Sequence, residues 1–123
     1  MSGISILSDT NPLIYLLDGN TEVADFLDGK QVWISVITEL ELFGKKGLSD
    51  DEVSEINSLL ESCFIAEINL QIKNSTKQLM QKFSLKLPDA IIAATALYLD
   101  LPLLTADEGF KKVPGPKLIL IEI

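Results

Sequence analysis

Ile4-Ser5-Ile6-Leu7-Ser8-Asp9-Thr10-Asn11-Pro12-Leu13-Ile14 carries three structural instructions in one short run. Ile4 to Leu7 reads as a short apolar strand that runs into Ser8-Asp9. Thr10-Asn11-Pro12 then opens a helix, with a polar cap candidate and Pro at a position that the first helical turn tolerates. Leu13, Ile14, Leu16 and Leu17 give that helix an apolar face. A strand, an acid at its carboxyl end and a helix follow one another directly, and the rest of the chain repeats the pattern.

Thr21 reads as the cap of a second short helix through Phe26 and Leu27. Val32-Trp33-Ile34 is β-rich, and Ser35 can cap a helix from about Val36 to Gly44. Ser49-Asp50-Asp51-Glu52 is a capping-box pattern. It starts a helix in which Val53, Ile56, Leu59 and Leu60 recur at helical spacing. Cys63 to Ile68 reads as a strand. The helix expected over Leu70 to Phe83 buries Ile72, Leu79, Met80 and Phe83. Pro88 begins another, Asp89 to about Leu99, ended by Asp100-Leu101-Pro102. Leu103-Leu104-Thr105 and Leu118-Ile119-Leu120-Ile121 are the last strands, separated by the rigid turn Pro114-Gly115-Pro116. The expected fold is a single α/β domain over residues 1–123, with a central parallel sheet of four or five strands flanked by helices on both faces. Right-handed crossovers place the strands' carboxyl ends along one edge, where such sheets bind ligands.

The length of 123 residues fits one domain. At 47% hydrophobic and 23% charged, the chain is neither disordered nor collagen-like nor a coiled coil. It has no His, so a Ser-His-Asp triad, a Cys-His pair and an imidazole metal ligand are all excluded. Cys63 is the single cysteine, which excludes an intrachain disulfide and a thiolate zinc site. Carboxylate, hydroxyl, amide and ammonium groups remain for chemistry. The opening residues lack the basic start and long apolar stretch of a signal peptide. No run approaches the ~18 apolar residues of a membrane span. A cytoplasmic location with no membrane partner is expected. All ten basic residues are Lys, and 18 acids leave a net charge of −8, which repels phosphate.

Four acids fall where a parallel sheet would bind a ligand. Asp9 follows the first strand, Glu41 lies in the first turns of the helix after Val32-Trp33-Ile34, Asp89 opens a helix, and Asp107 comes just after Leu103-Leu104-Thr105. Each also has a plain structural reading. Asp89 suits a helix dipole, Asp9 can cap a helix, and Asp107 can belong to an acidic turn with Glu108. Brought together, they repel and stay ionised only with a compensating cation. Without His or Cys that cation is hard and oxygen-loving, Mg²⁺ or Mn²⁺. One or two such ions can activate water and clamp a phosphodiester.

The local sequences go further than the spacing. Ser8-Asp9-Thr10-Asn11-Pro12-Leu13-Ile14 after an apolar strand resembles the opening of the PIN domain, a family of metal-dependent ribonucleases. Ser35-Val36-Ile37-Thr38-Glu39-Leu40-Glu41-Leu42-Phe43-Gly44 is similar to the family's second motif, and Leu87-Pro88-Asp89-Ala90-Ile91-Ile92-Ala93-Ala94-Thr95-Ala96 to its third, the most specific of the set. Leu103-Leu104-Thr105-Ala106-Asp107-Glu108-Gly109-Phe110 matches the fourth, Thr-x-Asp-x-x-Phe. The resemblance implies that Asp9, Glu41, Asp89 and Asp107 form an acidic site that binds Mg²⁺ or Mn²⁺ and carries catalysis. Thr10, Asn11 and Thr105 would support it by hydrogen bonds. Glu39 and Glu41 stand roughly 200° apart on a helix, so only one can face the site. The Thr-x-x-Glu-Leu register selects Glu41, with Thr38 on the same side.

Small standalone PIN domains of this length are similar to VapC-type toxins. That resemblance implies cleavage of structured RNA such as tRNA or rRNA, a homodimer, and inhibition by a cognate antitoxin protein. Lys45, Lys46, Lys111 and Lys112 can flank the cleft, and Lys73, Lys77, Lys82 and Lys86 lie along one helix and its exit. Each lysine also reads as part of a solvated face. Two alternatives stand beside the nuclease: a catalytically silent PIN-fold binding module, and a receiver-type domain that holds Mg²⁺. The receiver would need a phosphoacceptor Asp after the third strand, where Ala66-Glu67-Ile68-Asn69 stands.

Overall fold

A computed structural model describes residues 3–122, so residues 1, 2 and 123 of the expected single domain lie outside the described residues. The chain runs β1 (Ser5–Ser8), α1 (Thr10–Leu17), α2 (Thr21–Leu27), β2 (Gln31–Ser35), α3 (Val36–Leu42), α4 (Asp50–Glu61) and β3 (Phe64–Ala66). It continues through α5 (Leu70–Phe83), α6 (Leu87–Leu99), β4 (Leu103–Thr105), a 3₁₀ helix (Glu108–Lys112) and β5 (Leu118–Leu120). All five strands belong to one sheet in the order β3-β2-β1-β4-β5, and every pair is parallel.

Strand alternation divides the apolar residues between two cores. Leu7, Trp33, Leu103 and Leu118 face the side covered by α5 and α6, where Ile72, Leu79, Ala90, Ala93 and Phe110 pack. Ile6, Ile34, Leu104 and Ile119 face the side covered by α1, α2 and α4, with Leu13, Val23, Leu27 and Ile56. Each fully buried Leu or Ile contributes about 1.5–3 kcal/mol. The sheet alternates and the helices segregate, so one sequence period fixes both layers. Residues 90 to 96 of α6 are buried on every side, and their small Ala side chains let this helix lie between α5, α3 and the sheet.

Local polar groups set the helix starts. Ser49 and Glu52 form both bonds of the capping box on α4 (3.1 Å each). Ser35 caps α3 through Ile37 N–H at 3.1 Å, and Asn69 caps α5 through Ile72 N–H at 2.8 Å. The cap of α2 is Asn20, which accepts from Val23 N–H at 3.0 Å, and the expected cap Thr21 is the first helical residue. Asn20 accepts better than Thr at this position. In α5 the buried stripe is Ile72, Thr76 and Leu79, while Met80 is exposed. Thr76 qualifies because its hydroxyl donates to the Ile72 carbonyl at 2.7 Å, leaving no polar atom unpaired in the core. The helix α3 ends at Leu42 rather than Gly44, and the third strand is shorter than the Cys63–Ile68 expected.

This strand order excludes the receiver reading. A receiver-like sheet runs 2-1-3-4-5, with the third strand beside the first. Here β3 is an edge strand, separated from β1 by β2, so the acid directly after it, Glu67, does not stand beside the end of β1.

Candidate metal centre

The strand order reverses at β1: the chain builds outward to β2 and β3 on one side, then crosses to β4 and β5 on the other. The crevice at the carboxyl ends of β1 and β4 is the switch point at which such sheets bind ligands. Asp9 stands there. Its N–H donates to the Leu104 carbonyl (2.8 Å), continuing the β1–β4 ladder by one residue. Its side chain lies on the same side of the sheet as that of Leu7, toward α6.

Asp9 is only 6% exposed. Its Oδ1 accepts from the Thr10 N–H at 2.8 Å, so the structural reading is also true: Asp9 is the N-cap of α1. Its Oδ2 accepts from the Thr105 hydroxyl at 2.8 Å, across 96 positions of sequence. Thr105, fully buried at the end of β4, in turn accepts from the Asp107 N–H at 3.0 Å. On the other side, the Thr10 hydroxyl donates to Glu41 Oε1 at 2.6 Å and lies 3.0 Å from the hydroxyl of buried Thr38. Glu41, Thr10, Asp9, Thr105 and Asp107 therefore form one continuous hydrogen-bonded arc.

Asp89, in the first turn of α6, completes the group from the facing layer. Burial raises its pKa, and the charges of Asp9, Asp107 and Glu41 raise it further, with Lys86 opposing them. For Asp9 burial again is the largest cause. The bonds from Thr105 and Thr10 offset it, and the charges of Glu41 and Asp107 add to it. Four acids thus share one field. Glu41 and Asp107 are exposed at its rim, Asp89 is half-buried, and Asp9 lies at its base.

The donors suit a hard divalent cation in kind: every group is a carboxylate oxygen, and neither sulfur nor imidazole is near. The mutual repulsion is what a cation would relieve. Among the described residues no three carboxylate or thiol groups already stand close enough to hold one ion. Asp9 is held by two hydrogen bonds, so closing the group on an ion would take movement of the other acids.

The other expected residues divide. Thr10, Thr38 and Thr105 are buried inside the arc. Asn11 is exposed and its side chain makes no hydrogen bond among the described residues, because the turn of α1 carries it away from Asp9. Glu39 takes no part in the arc, as the helical angle between it and Glu41 requires. Lys111 pairs with Glu108 (3.1 Å) and Lys45 with Glu52 (3.5 Å), both exposed. Gly109 carries no signal of its own in the sequence. Its N–H donates to Asp107 Oδ1 at 2.7 Å, and a Cβ there would stand 3.0 Å from the same oxygen. Phe110, fully buried against the α5–α6 core, pins the 3₁₀ turn that presents Asp107. The Phe of the fourth motif carried half of that signal; the glycine before it carried none.

A parallel α/β domain with acids gathered at its switch point defines a class of ligand-binding site. The PIN domain family model matches residues 6–116, and the chain belongs to the PIN-domain family, the nuclease family its motifs resemble. In structure it is similar to a chain of a toxin–antitoxin complex from Klebsiella pneumoniae, at 35% identity over 96% of this chain and 99% of that one, with a TM-score of 0.83. It shares its fold with VapBC2 from Rickettsia felis bound to a DNA fragment from their promoter (17% identity, 95% and 98% covered, TM-score 0.82). It shares it also with DNA-bound VapBC from Salmonella typhimurium (19%, 94% and 97%, TM-score 0.81). No curated protein matches the chain significantly in sequence. Among the described residues no helix is long and apolar enough to cross a membrane.

Proposed function

We propose that the chain is a Mg²⁺- or Mn²⁺-dependent endoribonuclease and the toxin component of a VapBC-like toxin–antitoxin pair. The observation that carries this reading is the arc Glu41–Thr10–Asp9–Thr105–Asp107, with Asp89 facing it, at the switch point of the sheet. Asp9, Asp89, Asp107 and Glu41 would hold the ion. When bound, it would supply positive charge at phosphodiester oxygens and a more acidic water.

The chain's own residues do the positioning. Asp9 is held at the base by Thr105 and the Thr10 N–H. Glu41 and Asp107 stand at the rim, where a phosphate backbone would approach. With a net charge of −8 and no Arg, weak contact with structured RNA of the tRNA or rRNA class is favoured over tight reading of a sequence. A cognate antitoxin as partner is supported by the 35% identical chain, which comes from a toxin–antitoxin complex. A homodimer, a cytoplasmic location and a single domain over residues 1–123 complete the proposal.

The test is incubation of the purified chain with total RNA in Mn²⁺ and in chelator, followed by sequencing of the RNA ends produced. Cleavage in Mn²⁺ alone is expected, lost in Asp9→Asn and Asp89→Asn, with both variants still folded by circular dichroism. Metal-dependent cleavage retained in both variants would overturn the assignment. RNA bound but uncut in every condition would favour the silent binding module instead.

A further inference from the structure

The second motif places a threonine one helical turn before Glu41, and that side chain never touches the carboxylate. Thr38 is fully buried at the start of α3, and its hydroxyl has a single partner among the described residues, the Thr10 hydroxyl at 3.0 Å. The Thr10 hydroxyl donates to Glu41 Oε1 at 2.6 Å. A hydroxyl has one proton to give, and a carboxylate only accepts. Once Thr10 has spent its proton on Glu41, it can only accept from Thr38. The order of donation is therefore fixed: Thr38 to Thr10, and Thr10 to Glu41.

We infer that Thr38 is a positioning residue that acts on Glu41 through Thr10, keeping the Thr10 hydroxyl aimed at the carboxylate. Three features support this. Thr38 is the one donor to the Thr10 hydroxyl oxygen among the described residues, so it occupies the lone-pair side of that oxygen and leaves the proton to point at Glu41. Glu41 is exposed and has no ion pair among the described residues, so the Thr10 bond is what holds its side chain. Thr10 also anchors Asp9 through its backbone N–H, which ties the relay to the base of the site. The inference rests on the metal-site reading above and adds to it a residue that binds neither ion nor RNA.

Removing the Thr38 hydroxyl should weaken cation binding by about tenfold, the lower end of what partners of metal ligands contribute. The measurement is a Mn²⁺ titration of the full chain, followed by the electron paramagnetic resonance of free Mn²⁺, with RNA cleavage recorded in parallel. Thr38→Val should show the loss and Thr38→Ser should stay within about twofold of wild type. In a Glu41→Ala background Thr38→Val should cost nothing further, since the group it positions is gone. Thr38→Ala and Thr38→Ser differ by the hydroxyl alone and repeat the comparison if Thr38→Val does not fold. Wild-type Mn²⁺ affinity in folded Thr38→Val or Thr38→Ala overturns the inference, as does an equal loss in the Glu41→Ala background. A wild-type chain that shows this Mn²⁺ pattern but cuts no RNA overturns the nuclease reading and leaves the relay standing. Cleavage without the pattern does the reverse, and a wild-type chain that binds no Mn²⁺ overturns both.

Discussion

Asp9 and Glu41 are bonded to the same residue, Thr10, yet their surroundings are opposite. Asp9 sits at the end of a central strand, nearly inaccessible, with each oxygen engaged by a donor whose own position is fixed by the sheet or by α1. Glu41 reaches in from the surface of α3, exposed, with one oxygen engaged. Asp89 and Asp107 repeat the contrast in milder form, half-buried against exposed. The difference teaches how a site can be both rigid and adjustable. On the proposed reading Asp9 and Asp89 would set where a cation goes, and the exposed Glu41 and Asp107 would move to meet it.

The contrast predicts unequal losses. Asp9→Asn replaces one accepting oxygen by an NH₂ group, and the donors of Thr10 and Thr105 cannot both be answered. Cleavage should fall by at least about 1,000-fold, equivalent to ~4 kcal/mol. Glu41→Gln and Asp107→Asn keep their frame and should lose only about 10- to 100-fold. Initial rates on one RNA at saturating Mn²⁺ rank the three variants. A rim variant as damaged as Asp9→Asn would erase the distinction between base and rim.

Cation binding should also repay the repulsion stored at the base. At 100 times its Kd, Mg²⁺ or Mn²⁺ should raise the unfolding free energy by about 2.7 kcal/mol. Denaturant melts with and without the ion measure it. Asp89→Asn should abolish most of the gain and Asp107→Asn only part. Equal gains in wild type and Asp89→Asn would place Asp89 outside the site.

Much of this arrangement was legible in the sequence, for a physical reason. Strands such as Ile4–Leu7 and Leu103–Thr105 are short and bounded by polar or helix-starting residues, and their alternation sorts Ile6 from Leu7 and Leu104 from Leu103 without any knowledge of the fold. The motifs around Asp9, Glu41, Asp89 and Asp107 pointed to a site through their resemblance to the PIN family, more than through the spacing of the acids. What stayed hidden depends on register and on atoms rather than on residue type. No reading of Thr105 alone says that its hydroxyl meets Asp9 across 96 positions; that follows only once β4 pairs with β1. Asn11 looked as polar as Thr10, and the turn of one residue along α1 sends it to solvent. Asn20 and Thr21 are both caps in kind, and the stronger acceptor, Asn20, takes the position. Gly109 matters by the absence of a side chain, which a motif of side chains does not record.

The smallest expected effect concerns the protein without metal, where the buried and the exposed acids should differ in size. Asp9 and Asp89 have folded-state pKa values raised above the ordinary 3.8, by burial first in both. In the window between the ordinary value and the raised one, the folded chain binds more protons than the unfolded chain. Stability must then fall as pH rises through that window and stay reduced above it. Metal-free Asp89→Asn should therefore melt higher than wild type at pH 7, and the advantage should vanish below about pH 4. Water reaches half-buried Asp89 and screens the repulsion, so the gain is small, about 1–3 °C. Asp107→Asn should show no such gain, because that exposed acid gives up the Gly109 bond on its Oδ1 if the amide turns the wrong way. Scanning calorimetry in chelator at pH 4 and pH 7 decides it: a higher melting point for Asp107→Asn than for Asp89→Asn would put the stored repulsion at the rim instead of the base.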